Sequence, residues 1–180
     1  MKPSKRFITP KQKSASLLRA KKEGLCRWCG LGVKRLSPHR RTFCSDECVH
    51  QFKLRSSSSY IRSYIGKRDK YTCQICGLNC KGFLKKLWRF VNEKMAGVRY
   101  KLTDRRKEFE VEFFEKNGME WVNTNNRSTF YDIDHIVSVV EGGSQCGEEN
   151  LRTLCLSCHR KETAQLRKKL SIKKKAKEGK

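Results

Sequence analysis

No apolar run in this chain approaches the roughly 20 residues that a membrane span needs. Its opening residues, Met1-Lys2-Pro3-Ser4-Lys5-Arg6, lack the hydrophobic segment of a secretory signal. Both observations speak against membrane insertion and secretion, and an intracellular protein, nuclear in a eukaryotic host, is expected. Apolar residues are scarce as well, at 37% of 180 residues with a mean hydropathy of −0.76, so a large core is not to be expected and small stapled modules are. Acidic residues are the third scarcity: 18 Asp and Glu face 42 Lys and Arg, for a net charge of +24.

That positive excess is concentrated at the ends. Residues 1–22 carry eight Lys or Arg and no acid, and residues 160–180 carry ten against Glu162 and Glu178. A footprint of this kind favours a polyanion, because basic side chains gain free energy when a phosphate backbone releases its condensed counterions. A solvated tail or an import signal at Lys173-Lys174-Lys175 fits the extreme C-terminus equally well.

What the chain does have is ten cysteines, eight of them in four close pairs. In a reducing compartment such pairs read as zinc ligands before disulfides. Cys26-x-x-Cys29 and Cys44-x-x-x-Cys48, with fourteen residues between the pairs, match a four-cysteine, treble-clef-like zinc finger. Ser45 with Asp46 and Glu47 is expected to cap a helix through about Leu54 that carries Cys48 on its first turn. Lys34, Arg35, Arg40 and Arg41 in the intervening loop would let this finger touch phosphate, or the finger only props its neighbour. His50, two residues past Cys48, is expected to be an ordinary surface histidine, because four cysteines already satisfy one zinc. Before the finger, Thr9-Pro10 followed by Lys11 to Lys22 predicts a short, marginal helix ended by Gly24.

Ser56 to Ser59 reads as a hinge or as the cap of a helix over Tyr60 to Asp69, where a second module begins. Cys73-x-x-Cys76 is a knuckle whose natural partner is Cys155-x-x-Cys158, so one zinc would close an excursion of 78 residues. Within it, Phe83, Leu84, Leu87, Trp88 and Val91, and then Phe109, Phe113 and Phe114, recur at helical spacing. Two helices joined around Gly97 to Thr103 are expected, with their aromatics and Trp121 in a core. Asn123 to Ser128 reads as a loop.

From Thr129 to Val137 polar and apolar residues largely alternate, the period of a half-buried strand that puts Asp132 and Asp134 on one face. Val137 to Val140 is expected to continue the β structure toward Glu141-Gly142-Gly143. A helix is expected from Cys158-His159 onward.

Cys73-x-x-Cys76, Asp134-His135-Ile136, Gly142-Gly143, Gln145-Cys146, Asn150-Leu151 and Cys155-x-x-Cys158-His159 together resemble the signature of the HNH endonuclease family over about residues 60 to 167. The likeness is strongest to the HNH domain appended to an annealing helicase and endonuclease with a Ran-binding-type zinc finger. The resemblance implies a ββα-metal fold with His135 as general base for the attacking water and Asn150 orienting His135 or its loop. It further implies one divalent cation, Mg²⁺ or Mn²⁺, on Asp134 and His159, and a structural zinc on Cys73, Cys76, Cys155 and Cys158. His159 as a zinc ligand in place of Cys158 is the weaker alternative.

Asp132 is expected to be structural rather than a second cation ligand. Arg152, Arg160 and Lys161 would contact phosphate, or form a solvated helix face. Cys80 and Cys146 remain as free or packing residues.

The fold class expected is therefore small α+β zinc-stabilised modules: a basic segment at 1–22, a four-cysteine finger at 23–58, an HNH domain at 60–167 with a helical insertion about 81–128, and a basic tail at 168–180. The function expected is metal-dependent cleavage of duplex or branched DNA, with two structural zincs and no membrane partner. The alternative is a non-catalytic zinc protein that binds nucleic acid. Loss of the finger is expected to weaken DNA binding and leave the nuclease unit folded.

Overall fold

The structure is a computed structural model and describes residues 10–33, 39–96, 103–124, 127–143 and 147–178. Thr9, Lys34, Arg35, the joint from Gly97 to Leu102, and Gln145 with Cys146 lie outside the described residues. Among the described residues no helix is long and apolar enough to cross a membrane.

The chain is a small α+β protein of two compact units: Met1–Ile65 with His135–Leu151, and Gly66–Asp134 with Arg152–Lys180. His135 and Asn150 fall in the same unit as the N-terminal cysteines.

In the first unit, α1 spans Pro10–Glu23 and ends where expected, with Gly24 at φ +64 and its N–H donating to Ala20 O at 3.1 Å. Its Ala20 is buried, and the Arg27 guanidinium donates to Lys13 O at 3.1 Å, so this helix has tertiary support despite its thin apolar content. α2, Asp46–Leu54, is capped as expected: Ser45 Oγ accepts the Cys48 N–H at 3.1 Å, and Asp46 and Glu47 sit in the first turn. Cys26, Val33 and Cys48 form a small buried cluster with Trp28 and Phe43 against it. α3 spans Ser58–Arg68, and the Ser57 hydroxyl accepts the Tyr60 N–H at 3.3 Å, so the serine run serves as a cap. Ile65 on it is fully buried.

The second unit holds the main core. α4, Cys80–Met95, is capped by Asn79, whose Oδ1 accepts the Gly82 N–H at 2.8 Å, and it packs against α5, Thr103–Lys116. Phe83, Leu84, Leu87 and Val91 of α4 and Phe113 and Phe114 of α5 are buried together with Phe130, Tyr131 and Leu154. Phe83 and Phe130 rings lie 4.5 Å apart and Phe114 and Phe130 rings 5.7 Å, aromatic pairs worth about 0.5–1.5 kcal/mol each beyond their burial. Trp88 departs from the expected stripe. It is 41% exposed, at the edge of the face that α4 turns to the core.

β1, Tyr131–His135, and β2, Leu151–Cys155, form a two-stranded hairpin, and α6, Leu156–Glu178, follows at once. Tyr131 of β1 is buried, and so are Leu151, Thr153, Leu154 and Cys155 of β2. Val137 to Val140 does not extend β1 as expected. Val139–Glu141 is a 3-10 turn, and Val137, Val139 and Val140 are exposed because the backbone here is held by Asn150 instead of a ladder.

Candidate metal centres and catalytic loop

Cys73, Cys76, Cys155 and Cys158 present four Sγ atoms that all lie within 4.8 Å of one another. Each ligand is set by local backbone. Gly77, at φ +72, donates to Cys73 O at 2.9 Å, and Cys73 N–H donates to Leu78 O at 2.9 Å, which turns the knuckle. Gln74 N–H donates to Thr153 O at 2.9 Å and so ties the knuckle to β2, at whose end Cys155 stands. Cys158 lies on the first turn of α6 and its N–H donates to Cys155 Sγ at 3.4 Å. Thiolates 2.3 Å from a tetrahedral zinc are about 3.8 Å apart, and Cys76 and Cys155 Sγ atoms are 3.8 Å apart. The four residues fit zinc.

Cys26, Cys29, Cys44 and Cys48 make an equivalent group. Gly30, at φ +76, donates to Cys26 O at 3.0 Å, and sulfur separations are 3.5 Å for Cys29 to Cys44 and 3.4 Å for Cys44 to Cys48. In each group one thiol is prepared to ionise. Burial opposes ionisation of Cys26, but the backbone N–H groups of Cys29, Cys44 and Trp28 bring it down to about 6. Burial likewise opposes Cys73, and the N–H groups of Cys76, Cys155 and Ile75 bring it to about 7. One further thiol in each group moves the opposite way: burial and neighbouring sulfurs push Cys44 up to about 12 and Cys158 to about 11. Without a cation only part of each group ionises, so the donor set is built for a metal that displaces protons. Cys80 is buried outside both groups, its thiol donating to Leu78 O at 3.5 Å.

His135 ends β1, half-buried, and the loop after it is organised by Asn150. The Asn150 carboxamide is 6% exposed and spends itself on backbone: Oδ1 accepts the Val137 N–H at 2.7 Å, and Nδ2 donates to Val137 O and Gly143 O at 3.0 Å each. The Ile136 N–H donates to Asn150 O at 2.8 Å. A side chain at Gly143 would place its Cβ 1.7 Å from Val137 O, so this closed loop admits only glycine there. Of the two expected roles for Asn150, its contacts are with the loop.

In the second unit the Asp134 carboxylate is held by Arg152, whose Nε and Nη2 donate to Oδ2 at 3.2 and 3.0 Å. The same Nη2 donates to Glu162 Oε2 at 2.6 Å, and these two carboxylates raise the guanidinium pKa despite its burial. His159, on the first turn of α6, has Nδ1 3.8 Å from Asp132 Oδ2, which also accepts from Arg127 at 2.8 Å. Asp132 and His159 line a cleft of about 460 Å³ with Arg127, Arg160, Thr163 and Arg167. Arg160 and Lys161 are exposed, as a phosphate contact requires, whereas Arg152 is occupied by acids. Sequence reasoning missed the Asp132–His159 pair and the Glu162 contact. The only signal for either was the shared face of Asp132 and Asp134.

Residues 123–165 match the family model described as HNH endonuclease. The chain carries an HNH domain. That segment contains Asp134, His135, Asn150, Cys155, Cys158 and His159, and Cys73 and Cys76 join it from upstream. The domain resembles that of the protein described as DNA annealing helicase and endonuclease ZRANB3. The chain is 33% identical to ZRANB3 of Bos taurus over 129 residues, which is 72% of this chain and 12% of that protein. It is 30% identical to ZRANB3 of Homo sapiens over 133 residues, 72% of this chain and 11% of that one. The chain therefore spans about an eighth of these curated relatives. The crystal structure of the human ZRANB3 HNH domain aligns with a TM-score of 0.40 and 27% identity, covering 65% of this chain and 95% of that one.

Proposed function

We propose that the protein is a metal-dependent DNA endonuclease of the HNH type, acting inside the cell and, in a eukaryote, in the nucleus. The observation that carries the reading is the Asn150 clamp. A buried amide gives three hydrogen bonds to the backbone of the loop that directly follows His135. Such investment of a polar side chain in loop geometry suits a residue whose neighbour must hold an angle to a substrate. The cleft in the second unit adds cationic side chains for a phosphate beside His159 and Asp132.

In this reading the His135 imidazole takes the proton of the attacking water. Asn150 keeps the His135 loop in one conformation. Asp134 and His159 would hold one divalent cation, Mg²⁺ or Mn²⁺, which would supply Lewis-acid polarisation of the scissile phosphate and charge stabilisation for the leaving oxygen. Arg160 and Lys161 bind the flanking phosphates, joined by Arg152 once Asp134 is occupied. The eight cysteines hold two structural zincs. The N-terminal group is a treble-clef-like finger over 23–58, the HNH domain covers 60–167 with α4 and α5 as a helical insertion, and basic segments at 1–22 and 168–180 add phosphate contacts.

A second reading, a non-catalytic zinc-dependent nucleic-acid-binding protein, is favoured by one observation: Asp134 already has Arg152 as its cation. Incubating wild type and His135→Ala with plasmid and branched DNA in Mg²⁺ or Mn²⁺, and then with EDTA, separates the two. Cleavage lost in the variant and in EDTA supports the nuclease. Equal cleavage by both proteins removes His135 from the catalytic role, and cleavage by neither supports the binder.

A further inference from the structure

Two residues beyond the Cys48 ligand, on α2, stands His50, and its side chain is only 15% exposed. It is not the surface histidine expected from the sequence. Its Nδ1 lies 2.9 Å from Tyr60 Oη, its ring packs 4.6 Å from that of Tyr64, and its Nε2 lies 3.5 Å from Glu148 Oε2. Tyr60 and Tyr64 stack on each other, so the imidazole is seated on α3 on one side and meets Glu148 on the other. Glu148 opens the 3-10 turn Glu148–Asn150. Its neighbour Glu149 accepts the Gly147 N–H at 2.8 Å, and its carboxyl is held low by backbone N–H groups and by the Arg55 guanidinium at the end of α2. The third residue of that turn is Asn150.

We propose that the N-terminal four-cysteine module is the positioning platform of the Asn150 turn, with His50 packed 3.5 Å from the buried Glu148 Oε2 so that the clamp on Val137 and Gly143 keeps its geometry. This rests on the reading of His135 and its loop as catalytic. His50 and Glu148 are positioning residues that act through Asn150.

Three of the module's described arginines are spent inside the unit rather than on phosphate. Arg40 is paired with Asp46 at 2.7 Å, Arg27 lies 4.5 Å over the Phe52 ring while bonding Lys13 O, and Arg55 lies 4.8 Å over the Trp28 ring while bonding Gln51. These three arginines are engaged within the unit. A misplacement of about 1 Å at a catalytic loop can cost about a hundred-fold in rate, so a modest loosening of Glu148 is expected to register in turnover before it registers in binding.

The test uses the full chain with both zincs: plasmid nicking in saturating Mn²⁺ by wild type, His50→Ala, Glu148→Ala, the double variant and His50→Gln, together with hydrogen exchange at the Val137 amide. The expected result is a roughly tenfold loss of kcat in each single variant with KM unchanged. The double variant is expected to be no worse than the poorer single, and His50→Gln, whose amide can reach Glu148 from the same position, to recover most of the loss. Val137 N–H exchange is expected to quicken. Glu148→Ala lies outside the module, so it reports on the contact even if His50→Ala loses zinc. A rise in KM with kcat intact, or unchanged Val137 exchange, would overturn the proposal. Faster exchange in a protein whose wild type cuts no DNA would sink the nuclease reading and uphold the mechanical link.

Discussion

Arg152 grips the Asp134 carboxylate with two nitrogens, at 3.2 and 3.0 Å, and is itself anchored by Glu162 at 2.6 Å. A carboxylate so paired is pre-positioned on β1 but electrostatically occupied. A second cation arriving at Asp134 meets the guanidinium charge, and like charges about 4 Å apart near a protein surface repel by about 4 kcal/mol. Replacing Arg152 with Gln is therefore expected to tighten Mn²⁺ binding several-fold, read by a paramagnetic titration, while weakening affinity for DNA. Looser Mn²⁺ binding would show that Arg152 supports the cation site.

Zinc loading is expected to release protons. Cys26 titrates near 6 and Cys73 near 7, whereas Cys44 near 12 and Cys158 near 11 stay protonated at neutral pH without metal. Filling each group should displace protons, from Cys44 and Cys48 in one and from Cys155 and Cys158 in the other, so zinc affinity falls as pH falls. Calorimetry in two buffers of different ionisation enthalpy measures the number, and elemental analysis should give one zinc for each of the two cysteine groups. Release near zero would mean the thiols were not the ligands.

Much of this architecture is legible in the residues, and the boundary of legibility is physical. Cysteine spacing reports a tetrahedral metal directly, so Cys26, Cys29, Cys44, Cys48, Cys73, Cys76, Cys155 and Cys158 come together as their pairs imply. Ser45 and Pro10 mark helix starts because caps are local chemistry. The stripe of α4 and α5 is legible for the same reason, with Trp88 the exception because a stripe has an edge that only packing defines. Contacts between distant segments leave no period. His50 with Glu148, Asp132 with His159, and Glu162 with Arg152 each join polar residues that look solvated in the sequence. The apolar run Val137 to Val140 misleads, because the Asn150 amide satisfies its backbone and leaves its side chains exposed.

Asp69 Oδ2 accepts the Thr153 N–H at 2.8 Å, anchoring the residue after α3 to the middle of β2. Burial opposes its ionisation, but Arg68 and Thr153 outweigh that, and the carboxyl titrates below its usual range. A carboxyl depressed in the folded state contributes stability above its unfolded pKa of about 3.9, and that contribution disappears as pH falls through the lower folded value. Asp69→Asn is expected to cost about 1–3 kcal/mol at neutral pH and to flatten the acid limb of the stability curve, both measured by urea denaturation. An acid limb unchanged in the variant would place the sensitivity elsewhere.

Two adjacent glycines make a paired test of the loop that follows His135. Gly142, at φ +98, has open space around its Cα, so Gly142→Ala meets only backbone strain, on the order of 1–2 kcal/mol. Gly143→Ala instead drives a Cβ to 1.7 Å from Val137 O and 2.8 Å from Asn150 Nδ2, and the first of these is backbone that cannot swing aside. The loop must open, breaking the hydrogen bonds from Asn150 to Val137 and Gly143. Gly143→Ala is therefore expected to lower kcat about a hundred-fold, with DNA affinity and zinc content unchanged, because the basic ends and both cysteine groups are untouched. Gly142→Ala should lose much less. If the two variants cut DNA equally fast, closure of the Val137–Gly143 loop by Asn150 is not what holds His135 in working geometry.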